Sequence, residues 1–222
     1  MMSAVTAAPT PSRWRGVPAE ERMAERRRLL LDTAFDLLGT EGWSATTVRG
    51  VCQRARLNPR YFYESFADLD ELLLAVYDRI VQEAGAAAQA AVEAAADDPM
   101  SKARAAVGTV MRFVVDDTRR ARILFVEAAG NERLMRRRLD VVYAAAAVVE
   151  AAGAELYGPA PAGEPMARIT AHLLVGGAFE LLVTWLDGKL DVTLDQLVDD
   201  TTQLLMATGQ AAARLTSERN PR

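Results

Sequence analysis

Cysteine and histidine are almost missing from this 222-residue chain: Cys52 and His172 each stand alone. One cysteine excludes a disulfide within the chain and a cysteine-rich zinc site, and it fits a reducing cytoplasm. Without a second histidine or cysteine there is no triad or metal site to assemble. A His-Glu-x-x-His pattern and a glycine-rich phosphate loop are lacking as well. No catalytic residue, metal or cofactor is therefore indicated. A small all-α enzyme working through carboxylates alone survives only as an alternative. Long apolar runs are scarce too. The stretch from Ile169 to Phe179 ends at Glu180, well short of the roughly 18–20 residues that a membrane span needs, so no membrane partner is expected. Residues 1–19 hold Pro9, Pro11 and Pro18 among Ser, Thr and Ala, with no apolar core of a signal peptide, and they read as a flexible arm.

Charge of one sign is also lacking overall, but its distribution is uneven. The formal net charge is −4. Residues 1–66 nevertheless carry ten arginines against seven carboxylates, while residues 67–222 carry sixteen basic against twenty-three acidic side chains. A mildly basic N-terminal end thus sits on an acidic body.

What is present in abundance is helical periodicity. Leu30, Ala34, Leu37 and Leu38 fall on one stripe, widened by Leu31 and Phe35, and Gly39 and Gly42 supply a stop. Short segments follow at about 46–55 and 58–65, then a long helix from about 69 into the alanine-rich run near 84–96, with Asp68 as cap and Glu71 three residues on. Further helices are expected at about 99–117, 119–129, 131–157, 165–187 and 194–216. Pro99 opens the first of these, the loop Gly158–Gly163 divides two, and Thr193 with Gln196 forms a capping box. No alternating β-branched run exists. The fold class is all-α with about nine helices: an arm over 1–19, a helix-turn-helix domain over 20–66 and a helical ligand-binding and dimerisation domain over 67–222.

The informative stretch is Thr46–Phe66. Thr46 is placed as the cap of a helix whose inner face is Val48, Val51, Cys52 and Ala55, with Cys52 a small buried hydrophobe. Arg56–Leu57 makes a tight turn, with Leu57 plugging the corner. Asn58 caps a second helix and Pro59 stands at its first position, where its fixed φ suits the helix. That helix is too short to stand alone, so Phe62 and Phe66 must hold it against its neighbours. Arg60, Tyr61 and Glu64 then point outward, with Tyr63 on a flank. Two short helices, a tight turn and a preceding helix make a helix-turn-helix module. An exposed arginine can grip guanine with two hydrogen bonds, and exposed tyrosines can donate to phosphate or pack on thymine methyls.

Gly42-Trp43, Thr46-Thr47-Val48, Val51, Ala55, Leu57, Asn58 through Phe66 and Leu72 together resemble the DNA-binding region of TetR-type (tetracycline-repressor-like) bacterial regulators, over roughly residues 20–77. The resemblance implies a dimeric regulator of transcription, a repressor released by a small molecule from a palindromic operator in double-stranded DNA. It implies that Thr46 and Thr47 lie near phosphate, that Asn58, Pro59, Arg60 and Tyr61 enter the major groove, and that Tyr63 reaches the backbone. Arg49 completes the candidate DNA-contacting set. Three residues depart from the family pattern: Arg56 replaces the usual turn glycine, Ser65 an aromatic or His, and Leu69 a phosphate-binding Lys. A helical scaffold protein with a degenerate helix-turn-helix is the alternative this last departure keeps open.

Elsewhere the readings are plainer. Arg13, Trp14 and Arg15 read as incidental to the arm rather than as minor-groove contacts, and Arg136–Arg138 as a solvated face. A homodimer interface is expected on the last two helices, from Ile169, Leu173, Gly176, Gly177, Leu181, Trp185, Leu197 and Leu204, with glycines letting a partner helix approach closely. A pocket for a small hydrophobic ligand is expected from Met111, Phe113, Phe125, Met135, Tyr143 and Phe179, with His172 and Glu180 two turns apart as its polar groups. On spacing alone, His172 also serves as an ordinary hydrogen-bonded core residue.

Overall fold

Each expected periodic segment becomes a helix in the computed structural model, which describes residues 18–161 and 164–219. Residues 1–17 of the arm, with Arg13, Trp14 and Arg15, and residues 162–163 of the Gly158–Gly163 loop lie outside the described residues, and Ala19 already belongs to the first helix. In chain order the helices are α1 Ala19–Thr40, α2 Val48–Ala55, α3 Pro59–Tyr63, α4 Leu69–Ala94, α5 Pro99–Val115 and α6 Thr118–Ala121. They continue with α7 Glu132–Tyr157, α8 Met166–Leu186 and α9 Leu194–Arg219, making nine among the described residues, with no strand. Boundaries follow local chemistry. Asp68, Asp98, Asn131 and Thr193 each accept from the backbone N–H three residues on, closing the first turns of α4, α5, α7 and α9. The α1 stop is Gly42, at φ +85°, whose N–H donates to the Leu37 carbonyl at 3.1 Å.

Two local features depart from the sequence reading. Thr47, not Thr46, caps α2: its Oγ1 accepts from the Gly50 N–H at 3.0 Å. The segment Arg122–Glu127, expected as ordinary helix, is π-helical and continues α6. A π-turn inserts a residue without a compositional mark, so periodicity cannot reveal it.

One buried cluster joins the short helices to the body. Leu30, Ala34, Leu38, Val51, Phe62 and Phe66 run into Leu72, Leu73, Val76 and Tyr77 of α4. From there the cluster reaches Met111, Ile123, Leu134, Leu182, Leu197 and Val198. Position 66/67 is therefore crossed by continuous packing. A second, small cluster of Ala146, Ala171 and Val175 seals α7 to α8.

The π-helical segment also ties body to module by specific bonds. The Arg122 Nη1 donates to the Thr40 carbonyl at 2.7 Å, and Glu127 Oε2 accepts from the Trp43 N–H at 2.7 Å. Arg122 and Glu127 pair with each other at 2.9 Å, and Arg119 reaches Asp36 at 2.5 Å. Glycine at position 42 is favoured by its positive φ, and a Cβ would in addition push aside the Arg122 Nη2, 2.6 Å away, and the Glu127 carboxylate.

Several expectations about the body need correction. Trp185 donates its Nε1–H to the Val192 carbonyl at 2.8 Å and packs on the main cluster, and Leu197 is buried in it; both belong to the chain's own core rather than to an outer face. Arg137 is half-buried and bonded to Asp78 at 2.5 Å, so the 136–138 run is not uniformly solvated. By length and composition α8 is apolar enough to cross a membrane, with a mean hydropathy of 1.6 over its best window, although only 22% of that window is buried within the chain. Counting only the uncharged run up to Glu180 misses this, since one carboxylate hardly lowers the average.

Candidate nucleic-acid interface

Three helices build this face. The buried sides of α1, α2 and α3 are locked by Leu30, Val51, Cys52, Phe62 and Phe66, all between 0 and 2% exposed. Burial also pushes the Cys52 thiol pKa up, keeping it protonated and inert. Fixing Phe62 matters most. A five-residue helix cannot persist unaided, and removing such a buried aromatic costs about 3–5 kcal/mol.

The turn between α2 and α3 closes as a Schellman motif. The Leu57 N–H donates to the Cys52 carbonyl at 2.9 Å and the Arg56 N–H to that of Gln53 at 3.2 Å. Arg56 occupies the position usually given to glycine and adopts φ 54°, ψ 41°; it is the one left-handed non-glycine residue among those described. Leu57 packs on the main cluster, as its corner position requires.

With the inner faces committed, the outer faces follow. Asn58 Oδ1 accepts from the Arg60 N–H at 2.9 Å, setting the start of α3, and Pro59 sits exposed beside it. Arg60 projects outward with its side chain 82% exposed, its Nε held by Glu64 Oε1 at 3.0 Å. Tyr63 is 62% exposed and meets Phe62 edge-on. Tyr61 is half-buried under the Arg26 guanidinium, which lies 4.4 Å from its ring centroid. Thr47 and Arg49 are exposed on α2. Thr46 is not on this face: it is 4% exposed and its hydroxyl donates to the Gly42 carbonyl at 2.8 Å, which turns it away from any phosphate. Arg26 and Glu64 had no assigned role in the sequence; in a run of three arginines, nothing local marks which one stacks. Of the departures from pattern, Leu69 packs on the cluster at the start of α4, and the Ser65 hydroxyl is buried without a hydrogen-bond partner among the described residues.

The other expected sites are less concerted. Ile169 and Leu173 are 57% and 65% exposed on α8, Leu204 is 61% exposed on α9, and Leu181 is half-buried. A Cβ on Gly176 or Gly177 would meet nothing within 4 Å, so nothing in this chain's own packing requires glycine at either place. None of the eight residues expected to line one ligand pocket borders the open cleft that the structure shows. Met111 is in the core, Phe113 stacks under Arg120, Phe125 meets Phe179, Met135 is half-buried and Glu180 is exposed. His172 instead bonds through Nδ1 to the Arg168 carbonyl at 2.8 Å, beside an exposed Tyr143. The cleft, of about 450 Å³, lies between Pro99 and Met100 of α5, Leu156 and Tyr157 of α7, and Gln203, Met206, Ala207 and Gln210 of α9.

These features define a helix-turn-helix module joined to an all-helical body. Residues 30–76 match the model of the bacterial regulatory proteins of the tetR family, and in this segment the chain is similar to that family. An uncharacterized HTH-type transcriptional regulator of Haemophilus influenzae is 32% identical over 125 residues, 54% of this chain. The match spans only 58% of that relative's own length. Among solved structures, a Pseudomonas aeruginosa protein superposes at TM-score 0.71 with 16% identity, covering 92% of this chain and 98% of its own. A TetR family transcription regulator from Marinobacter aquaeolei gives TM-score 0.60 with 18% identity, covering 85% and 97%. At such identities the likeness is one of fold.

Proposed function

We propose that this chain is a homodimeric, sequence-specific regulator that binds a palindromic operator in double-stranded DNA and represses transcription until a small apolar ligand releases it. The observation that carries the reading is α3. Its buried side is fixed by Phe62 and Phe66, while Asn58, Pro59, Arg60 and Tyr63 are displayed on the outer side with Arg60 82% exposed. In the major groove the Arg60 guanidinium offers a pair of donors to O6 and N7 of guanine. The Tyr63 hydroxyl and Thr47, with Arg49 beside it, are aimed at phosphate, and such contacts set register without reading sequence.

Dimerisation is supported by the outer side of α8, where Ile169 and Leu173 are exposed next to Gly176 and Gly177, and by Leu204 on α9. A twofold pair of α8 and α9 helices buries this surface and sets two α3 helices on half-sites about one turn of DNA apart. A place for a ligand is offered by the open cleft between α5, α7 and α9, whose walls are mostly apolar with the Gln203 and Gln210 amides and the Tyr157 hydroxyl as polar groups. A ligand there shifts the balance only by its difference in affinity for the two arrangements.

The test is base preference. Arg60→Ala is expected to weaken operator binding by about 1–3 kcal/mol and to relax the choice at one base pair per half-site, while Tyr63→Phe weakens all duplexes alike. Uniform loss from Arg60→Ala would reduce Arg60 to a phosphate contact. A second reading, a helical scaffold with a degenerate module, draws on Leu69, which packs inward where a cation would serve DNA. A wild-type protein with no salt-dependent shift of duplex DNA would favour it.

A further inference from the structure

The outward arginine of α3 is not left to itself. Glu64, one turn on, uses both carboxylate oxygens: Oε1 accepts from Arg60 Nε at 3.0 Å and Oε2 pairs with Arg26 Nη2 at 3.5 Å. The Arg26 side chain is only 16% exposed, and its guanidinium lies over the Tyr61 ring at 4.4 Å. Two side chains of α3's outer face, Arg60 and Tyr61, are thereby tied through Glu64 and Arg26 to α1, a helix of 22 residues.

We propose that Glu64 is a positioning residue for base recognition: it orients the Arg60 guanidinium toward the groove and references it, through Arg26, to the rigid α1. This rests on the DNA-binding reading above. The chemistry is specific. A guanidinium that spends its Nε–H on Glu64 keeps the Nη1 and Nη2 groups, side by side and end-on, for the two acceptors of a guanine edge. Holding a long, rotamer-rich side chain in that pose before binding lowers the entropy lost on contact. Stability is not what the arrangement supplies, because an exposed pair four residues apart contributes little to folding. Nor does a carboxylate on a DNA-facing surface promote binding in general. Its charge repels phosphates and weakens attachment to every duplex. Glu64 thus acts with opposite sign on the two modes of binding: it opposes attachment to arbitrary DNA and favours the correct base pair.

The opposite signs make the proposal testable. A duplex is selected from a random library by the wild-type full chain, and its affinity is compared with that for a scrambled duplex of the same length at fixed salt. Glu64→Gln is expected to bind the scrambled duplex several-fold more tightly and to lower the selected-to-scrambled ratio about tenfold, with the loss concentrated at the base pair read by Arg60. Arg26→Met keeps an apolar cover on Tyr61 but removes the anchor. It is expected to lower the same ratio without the gain on scrambled DNA, since it removes a positive rather than a negative charge. Glu64→Asp retains the charge on a shorter arm and is expected to recover the scrambled-DNA affinity of the wild type with only part of its ratio. A folded Glu64→Gln protein whose ratio matches the wild type within twofold overturns the proposal and leaves Glu64 a surface charge. A wild-type protein that discriminates no duplex overturns the DNA-binding reading itself, and this inference with it, so the two failures are told apart.

Discussion

Replacing Arg56 with glycine should make the protein more stable, an unusual expectation for a change to glycine. The residue sits at φ 54°, ψ 41°, in the left-handed region where a Cβ crowds the following carbonyl. That crowding costs an L-residue about 1–2 kcal/mol, and glycine is spared it. Against this, glycine widens the freedom of the unfolded chain, which removes about 0.4–1 kcal/mol of the gain. Nothing else is forfeited in the fold: Arg56 is exposed and makes no ion pair or side-chain hydrogen bond among the described residues, and the Schellman bonds come from its backbone and that of Leu57. The net is a stabilisation of roughly 0.5–1 kcal/mol, or about 1–4 °C in melting temperature for a chain of this size. Arg56→Ala is the control, because it loses the same charge and keeps the crowding, and it should be no more stable than the wild type. Urea and thermal melts of the three proteins decide the matter. If glycine and alanine variants melt together, the left-handed geometry carries no cost here and the reasoning fails.

Two further outcomes follow from the body. Gly177→Leu should give folded monomers with weak operator binding, since a Cβ there meets nothing within 4 Å inside the chain, and a variant that sediments as a normal dimer would remove α8 from the interface. Burial pushes the Tyr77 phenol up to about 12, from about 10 when unfolded, so its contribution to stability is complete below pH 10 and is lost as pH rises toward 12, by about 2–3 kcal/mol in all. The chain has only two lysines to titrate in the same window. Urea midpoints of Tyr77→Phe and wild type between pH 9 and 11.5 should therefore diverge in slope, and parallel curves would mean that Tyr77 is solvated.

Helix starts with strong stripes and side-chain caps were legible within a residue or two in the sequence, as at Asp68 and Thr193, because caps and periodicity are local. The outward residues of α3 were legible for a related reason: Phe62 and Phe66 leave Arg60 one direction to point. Thr46 and Thr47 could not be told apart, since both are cap formers and only the path of the chain after Gly42 turns one inward. Trp185 and Leu197 resemble interface residues on a helical wheel, and only the seating of α8 against α9 assigns them to the core. The Arg26–Glu64 contact spans 38 positions between two helices, and no spacing rule reaches that far.

The bonds by which Arg122 and Glu127 hold the module end on main-chain groups, the Thr40 carbonyl and the Trp43 N–H. Every amino acid brings a carbonyl, and all but proline bring an N–H, so side-chain changes at positions 40 and 43 leave the docking points in place. Mutational genetics will therefore see this joint from one side. Changes that disconnect it should map to Arg122 and Glu127, or to Gly42, where any added Cβ strikes both of them. Drift in the residues of the α1–α2 corner, by contrast, leaves the joint intact.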